Sequence, residues 1–374
     1  MGRPDIRAAH RRPYDGPSRR SGQVTGYSRR DTGTERLVAM TTHTEDDTSP
    51  RAPLGTWPTP LEPAPRLARA LGLGPGDLWV KRDDLTGLGG GGNKIRKLEW
   101  TCGAALAAGA TTLVTTGAPQ SNHARLTAAA GARLGLRVVL VLAGAPGGTA
   151  SGNLALDGLF GATVVWAEDG EPLDSRARTV VEQERARGEV PALIPFGGSS
   201  ALGARGYVEC ARELLDQAPD LATVVVALGS GGTMAGLVAH LGSSRVLGVH
   251  CGAVADPAGT VTRLVGELSG TRGVTEAPRL RLDQVGDGYD TPGEPVMNAL
   301  TLAARTEGIV LDPIYTGRAM AGLIAAVADG DITPGRRTVF LHTGGLPGLF
   351  GHPATLARAG AALLGSPDDP RQTA

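Results

Sequence analysis

Lysine is nearly absent from this sequence. The 374-residue chain carries 37 basic residues, of which only Lys81, Lys94 and Lys97 are lysines. Arginine stays protonated at any accessible pH and supplies a plain positive charge everywhere else. A lysine kept against that bias is a candidate for chemistry arginine cannot do, because a desolvated amine can lose its proton and attack a carbonyl. Counting alone leaves a second reading open, in which Lys81 and Lys97 are leftovers and Lys94 is only a phosphate-binding cation.

Other scarcities narrow the class. The three cysteines, Cys102, Cys210 and Cys251, are odd in number and far apart. With no CxxC pair and no Cys/His cluster, neither a metal site nor a disulfide framework is expected, and a reducing cytoplasm fits. Acidic and basic residues balance at 37 each, so nothing points to nucleic acid or an anionic membrane as partner. No apolar run approaches the ~20 residues needed to span a bilayer. No repeat of about 20–50 residues suggests a solenoid. The expectation is a soluble, cytoplasmic protein of two domains with ample chain for a large core.

Residues 1–50 differ from the rest. The stretch "RRPYDGPSRRSGQVTGYSRRDTGTER" carries three Arg-Arg pairs and no apolar periodicity. It cannot bury enough surface to offset its ordering entropy, so a disordered N-terminal extension is expected. It lacks the apolar core of a signal peptide, although an Arg-rich transit peptide stays open. Met40 is an alternative initiator to Met1; the intact mass of the natively expressed protein distinguishes the two.

From residue 78 onward short β-rich runs alternate with Ala/Leu-rich helical stretches. Strands are expected at 78–82, 112–117, 137–144, 163–168, 192–198, 223–232, 245–252 and 338–345, with another ending at Asp312-Pro313. Helices are expected at 94–108 and 121–135, and near 151–160, 171–187 and 200–217. Near-continuous Val/Leu strands are buried on both faces, as in a parallel sheet covered by helices. The alternation argues for βαβ units and an α/β fold. In such sheets ligands bind where strand ends turn into helices, and the unusual glycine clusters of this chain sit there.

Four of those turns carry chemistry. In "ALGSGGTMAGL" a buried strand runs into Gly229, Ser230, Gly231, Gly232 and Thr233 and then a helix. Converging N–H groups and a helix N-terminus can cradle a phosphate, and Thr233 can add a hydroxyl. No Gly-Lys-Ser/Thr follows, which excludes a Walker loop, and the acidic residue of a dinucleotide fingerprint is missing from "GVHCG". A mere tight turn remains the plain alternative. In "TTGAPQSNHARLTAAA" the residues Gln120, Ser121, Asn122 and His123 crowd a helix start; Ser121 is a natural cap, or these groups grip a carboxylate or ring hydroxyl. In "GIVLDPIYTGRAMAGL" Tyr315 precedes a helix, and tyrosine is scarce, five in the chain with two in the N-terminal tail. It can serve as acid or base, or simply pack its ring. In "FLHTGGLPGLFG" Thr343 directly follows a buried strand.

Together with "KRDDLTGLGGGGNKIRKLEW", these elements in this order resemble the pyridoxal-phosphate enzymes of the D-cysteine desulfhydrase and 1-aminocyclopropane-1-carboxylate deaminase family. The resemblance runs from about residue 52 to the C-terminus. It implies two open, twisted, mostly parallel sheets covered by helices, the tryptophan-synthase-β-like fold type II, with cofactor between a large and a small domain. The large domain would comprise 51–96 and 207–374, the small one 97–206, and relatives of this group are commonly dimers.

Carried over residue by residue, the resemblance gives Lys94 as the lysine joined to the cofactor as a Schiff base, and Lys97 as a neighbour of the phosphate. Asn122 would bond the ring hydroxyl. Ser121 would bind the substrate carboxylate or assist proton transfer. Gly229, Ser230, Gly231, Gly232 and Thr233 would hold the phosphate. Thr343 would face the pyridine nitrogen, and Tyr315 would stand over the substrate. Freed Lys94 is the natural base for the α-proton. A hydroxyl at the ring nitrogen favours rapid loss of a β-leaving group.

The implied reaction is α,β-elimination on a small D-amino acid, D-cysteine going to pyruvate, ammonia and hydrogen sulfide. The deaminase type carries Glu directly after the site tyrosine; here that position is Thr316. That disfavours cyclopropane opening, which stands as the alternative within the family. Ala118-Pro119 and the run of four glycines before Asn93 depart from the family pattern and leave L-cysteate, 3-chloro-D-alanine or a pathway-specific thiol amino acid as alternative substrates. Two readings of other classes also stand: a nucleotide-binding oxidoreductase, and a non-catalytic protein that keeps the cofactor for sensing.

Overall fold

The computed structural model describes residues 50–145, 147, 150–270 and 276–364. The expected disordered extension over 1–50 lies outside these residues except for Pro50. Among the described residues ten strands form, in chain order: β1 Leu61–Pro63, β2 Leu78–Lys81, β3 Thr112–Gly117, β4 Arg137–Leu142, β5 Thr163–Trp166, β6 Pro191–Leu193, β7 Leu221–Leu228, β8 Val246–His250, β9 Arg279–Arg281 and β10 Arg337–Leu341. They make a six-stranded sheet in the order β1-β2-β10-β7-β8-β9 and a four-stranded sheet in the order β5-β4-β3-β6. Every pairing is parallel except β1 with β2.

The near-continuous apolar strands have a direct explanation. Successive side chains point to opposite faces, and both faces are covered. Val225 and Ala227 of β7, with Phe340 of β10, pack beneath the helices Glu294–Glu307 and Thr316–Ala328. Val224, Val226 and Leu228 of the same strand pack beneath Ala201–Gln217, Gly232–Leu241 and Pro257–Ser269. In the second sheet Leu113 and Leu140 face the helices Lys94–Ala107 and Asn122–Leu134, whereas Val114 and Val139 face Leu173–Ala186. Leu228 is fully buried, and truncating it to Ala would cost about 2–5 kcal/mol.

A buried ionic cluster fixes the Lys94–Ala107 helix. Arg96 donates to both carboxylate oxygens of Asp83 at 2.8 and 2.9 Å and to both of Glu213 at 2.8 Å. Tyr207 adds its hydroxyl to Asp83 at 2.6 Å. Lys81 is buried here as well, with its ammonium 2.9 Å from Glu213. Burial acts to raise the Asp83 pKa, but the Arg96 charge and hydrogen bonds hold it below the ordinary carboxylate value. One of the three lysines thus has a structural post, joining β2 to the Ala201–Gln217 helix.

Two expected strands are corrected. Residues 308–312 form no strand. Leu311 is buried and apolar as expected, but the backbone there is served by side chains: Val310 carbonyl pairs with His342 Nε2, and Asp312 N–H donates to Thr316 Oγ1. The strand expected at 192–198 stops at Leu193, because Gly197 adopts φ 63° inside the turn Phe196–Gly198. The structure adds short elements such as β1 and β9, and the helix Pro257–Ser269 capped by Asp256.

Candidate active site

Lys94 opens its helix two residues after the glycine run. Gly89, Gly90, Gly91 and Gly92 all take positive φ, at 56°, 85°, 72° and 130°. A Cβ on Gly91 would stand 1.9 Å from the Asp84 carbonyl oxygen, so the turn admits glycine there for both conformation and space. The loop then docks on the segment after β10: Asn93 N–H donates to the Thr343 carbonyl at 3.0 Å, and a Cβ on Gly344 would lie 2.8 Å from Gly92 Cα. Thr343 and Lys94 are thereby brought to one cavity, which they line with Ser121, Asn122 and Tyr315.

The Lys94 amine donates to the Gly197 carbonyl at 3.1 Å. Burial lowers its pKa from the usual 10.5 to about 8, partly offset by a hydrogen bond with Lys97. Lys97 lies one turn on, beneath the cavity, and donates to Ser199 Oγ at 3.0 Å. Burial, then the like charge of Lys94, holds it well below its ordinary value. Two amines crowded in a poorly solvated site both favour shedding charge, and a bound anion would reverse that preference for the amine beside it.

Such an anion has a built cradle. At the end of β7, Gly229, Ser230 and Gly231 line the cavity and lead into the ten-residue helix Gly232–Leu241. Gly231 has φ 86°, and a Cβ there would meet Thr260 Cγ2 at 2.7 Å. Gly232 sits just behind the lining and donates its N–H to Ser199 Oγ at 3.1 Å; Ser199 in turn shares a 2.8 Å hydrogen bond with Ser230. Thr233 lines the cavity and accepts from Asn93 Nδ2 at 3.0 Å. The helix N-terminus, the glycine amides and Lys97 suit a phosphate.

On the opposite wall Ser121 caps the helix Asn122–Leu134, its Oγ accepting from Ala124 N–H at 3.1 Å. That leaves the hydroxyl hydrogen free to donate. The neighbouring His123 is neutral: burial holds its pKa well below the usual value, with Lys94 and Lys97 pushing the same way. Thr115 Oγ1 donates to the Ile194 carbonyl at 2.9 Å, so His123 Nε2, 2.9 Å away, carries the proton toward Thr115.

Asp312 aims Tyr315. Its carboxylate accepts the backbone N–H groups of Ile314, Tyr315 and Thr316 at 3.0, 2.9 and 2.8 Å, and the Thr316 hydroxyl at 2.7 Å. The Tyr315 hydroxyl hydrogen-bonds that of Tyr289. Burial pushes Tyr315 well above the usual phenol value and Tyr289 up to about 12, so both stay protonated. A second cavity of about 300 Å³ shares Asn122 and Tyr315 with the first and is walled by Ala118, Pro119, Gln120 and Tyr289.

The sequence-derived residues therefore converge, with Lys97 and Gly232 set just behind the lining. Sequence reasoning missed Asn93, Ser199 and Tyr289. Ser199 had a usable signal, the polar-glycine run "FGGSS" at a strand end; Tyr289 lies in a segment with no motif. A primary amine, an anion cradle and an amide on the facing wall fit an aldehyde-bearing, phosphorylated aromatic ring.

Comparison with known proteins agrees. A family model described as pyridoxal-phosphate dependent enzyme matches residues 52–344. A D-cysteine desulfhydrase of Salmonella schwarzengrund (strain CVM19633) is 42% identical over 318 residues, covering 81% of this chain and 96% of the relative. The D-cysteine desulfhydrase of Salmonella typhi matches to the same extent. A crystal structure described as an ACC deaminase homologue superposes with a TM-score of 0.76 at 36% identity, covering 83% of this chain and 96% of that one. The processed form of threonine deaminase isoform 2 from Solanum lycopersicum, at TM-score 0.53 and 18% identity, covers 77% of this chain and 79% of its own and shares the fold.

Proposed function

The chain belongs to the family of pyridoxal-phosphate dependent enzymes, and from that premise we propose that it is a carbon–sulfur lyase acting on a small D-amino acid, with D-cysteine and water going to pyruvate, ammonia and hydrogen sulfide. The observation that carries this reading is the half-buried Lys94 amine, lowered by desolvation to about pKa 8, between an anion cradle and an amide. The two desulfhydrase relatives support the choice of substrate.

When bound, pyridoxal phosphate supplies an electron sink for the substrate α-carbon. The protein does the rest. Lys94 anchors the cofactor and takes the α-proton, for which a partly desolvated, partly neutral amine is suited. Gly229, Ser230, Gly231, Gly232 and Thr233 hold the phosphate, with Lys97 restoring charge balance behind them. Asn122 binds the ring hydroxyl and Thr343 the ring nitrogen. Ser121 offers its free hydroxyl hydrogen to the substrate carboxylate. Tyr315, protonated and paired with Tyr289, gives a proton to the departing sulfur as the Cβ–S bond breaks.

The alternative of cyclopropane ring opening draws on the ACC deaminase homologue. Against it stands Thr316, which is fully buried and bonded to Asp312, so this position has no carboxylate and no side-chain oxygen free for substrate. The oxidoreductase reading of the glycine turn falls with the family match. We also read residues 97–206 as a small domain, supported by β3–β6 all falling within them, with 51–96 and 207–374 as the large one. A cytoplasmic homodimer completes the reading; among the described residues no helix is long and apolar enough to cross a membrane.

The test is release of sulfide and pyruvate from D-cysteine, L-cysteine and 1-aminocyclopropane-1-carboxylate side by side. The reading expects turnover of D-cysteine well above the other two. Faster deamination of the cyclopropane substrate would overturn it.

A further inference from the structure

Arg125 is fully buried, and the proposed chemistry does not use it. Its Nε donates to Asn153 Oδ1 at 3.0 Å and its Nη2 to Asn122 Oδ1 at 3.2 Å, while Nη1 donates to the carbonyls of Gly89 and Gly91 at 2.5 and 3.0 Å. A guanidinium only donates. Asn153 must therefore turn its oxygen toward Arg125 and its Nδ2 away from it. That Nδ2 donates to the Gln120 backbone carbonyl at 2.8 Å, a group that only accepts, and to Asn122 Oδ1 at 3.0 Å. Both ends of the Asn153 amide are thus set by partners that cannot reverse.

The consequence falls on Asn122. Its oxygen takes two donors, one from Arg125 and one from Asn153, so its Nδ2 is the end left for the cavity that Asn122 lines with Lys94. An amide free to flip offers either a donor or an acceptor; this one is locked as a donor. We propose that Arg125 is a positioning residue that fixes, directly and through Asn153, the polarity of the Asn122 amide, so that this amide presents N–H donors and no carbonyl to the ring hydroxyl oxygen of the cofactor. The same guanidinium pins the glycine loop leading to Lys94. Among the described residues, Asp157 is fully buried with neither carboxylate oxygen hydrogen-bonded. It lies close enough to act on Arg125, but burial raises its pKa to about 7, so it offsets the guanidinium charge only in part at neutral pH.

This rests on the reading of the Lys94 cavity as the pyridoxal-phosphate site, and the experiment separates the two. Purified wild type is first scored for an absorption band removed by borohydride; its absence sinks the cofactor reading itself. Given the band, cofactor-free Arg125→Lys and Asn153→Asp proteins are titrated with pyridoxal phosphate, and visible circular dichroism of the bound form is recorded. Lysine keeps the charge but cannot span the separated acceptors. Asn153→Asp is nearly isosteric and puts an acceptor against Asn122 Oδ1, so one of the two donors that set that amide is lost and Arg125 alone holds it. Both variants should bind cofactor about tenfold or more weakly and alter the visible dichroism. In cofactor affinity Asn153→Asp should add little to Asn122→Ala, because its effect on the cofactor runs through the Asn122 amide. Wild-type affinity and dichroism in Asn153→Asp, or effects that add in the double variant, would overturn the proposal even where Arg125→Lys fails to fold.

Discussion

Asn93, the residue before Lys94, donates from its side chain to the Thr233 hydroxyl at 3.0 Å. One hydrogen bond thus ties the start of the lysine helix to the far end of the anion cradle, 140 residues on in sequence. Amine and phosphate site are held at a fixed separation, which is what a cofactor gripped at both ends requires.

Asn93→Ala removes that tie and leaves Lys94 in place. The loss of one hydrogen bond is worth about 0.5–1.5 kcal/mol, so affinity for pyridoxal phosphate should fall severalfold with little change in the melting of the cofactor-free protein. Equilibrium dialysis measures the first and calorimetry the second. Unchanged affinity would mean the tie is incidental.

Gly91→Ala should do more damage. The new methyl meets the Asp84 carbonyl at 1.9 Å on a backbone held at φ 72°, and strain of that kind costs about 1–3 kcal/mol or more. A lower melting temperature together with lost cofactor binding is expected, since the loop carries Lys94. A variant that melts like wild type would show that the loop has room the geometry denies.

Tyr315→Phe separates binding from chemistry. The cofactor absorption band should survive, whereas kcat for D-cysteine should fall by about 10²–10⁴, the usual worth of a positioned acid. Retained kcat would remove the hydroxyl from the proposed sequence.

Asp83 links the site to pH. Its folded-state pKa lies below the ordinary 3.8, so its stabilising contribution is present above that pH and is lost as pH falls through the folded value. Asp83→Asn leaves buried Arg96 short of a partner and should cost about 3–5 kcal/mol at neutral pH. Denaturant titrations should show the gap from wild type closing in strong acid. A gap independent of pH would contradict the pairing.

Much of this site was legible because its parts sit where buried strands end. Gly229–Thr233 and Thr343 follow apolar runs that could only be sheet interior, and Ser121 announces a helix start by residue type alone. The scarcity of lysine isolated Lys94. What stayed hidden depends on contacts between distant segments. Asn93 reads as one more loop residue until Thr233 is beside it, and Ser199 gains its meaning from Gly232, 33 residues away. The 308–312 segment looks like a strand because Leu311 is apolar, yet its backbone partners are the side chains of His342 and Thr316. Apolar pattern reports burial; it does not report who satisfies the backbone.

The central claim is that the Lys94 amine is uncharged often enough to condense with an aldehyde. The most direct measurement is the rate at which cofactor-free protein recombines with pyridoxal phosphate as pH is varied, with Lys94→Arg alongside. The neutral fraction grows with pH, so the rate should rise and level off above about pH 8, where burial has brought the amine, and Lys94→Arg should gain no borohydride-sensitive band at any pH. A rate still climbing toward the ordinary lysine value of 10.5, or a band that persists in Lys94→Arg, would contradict the account.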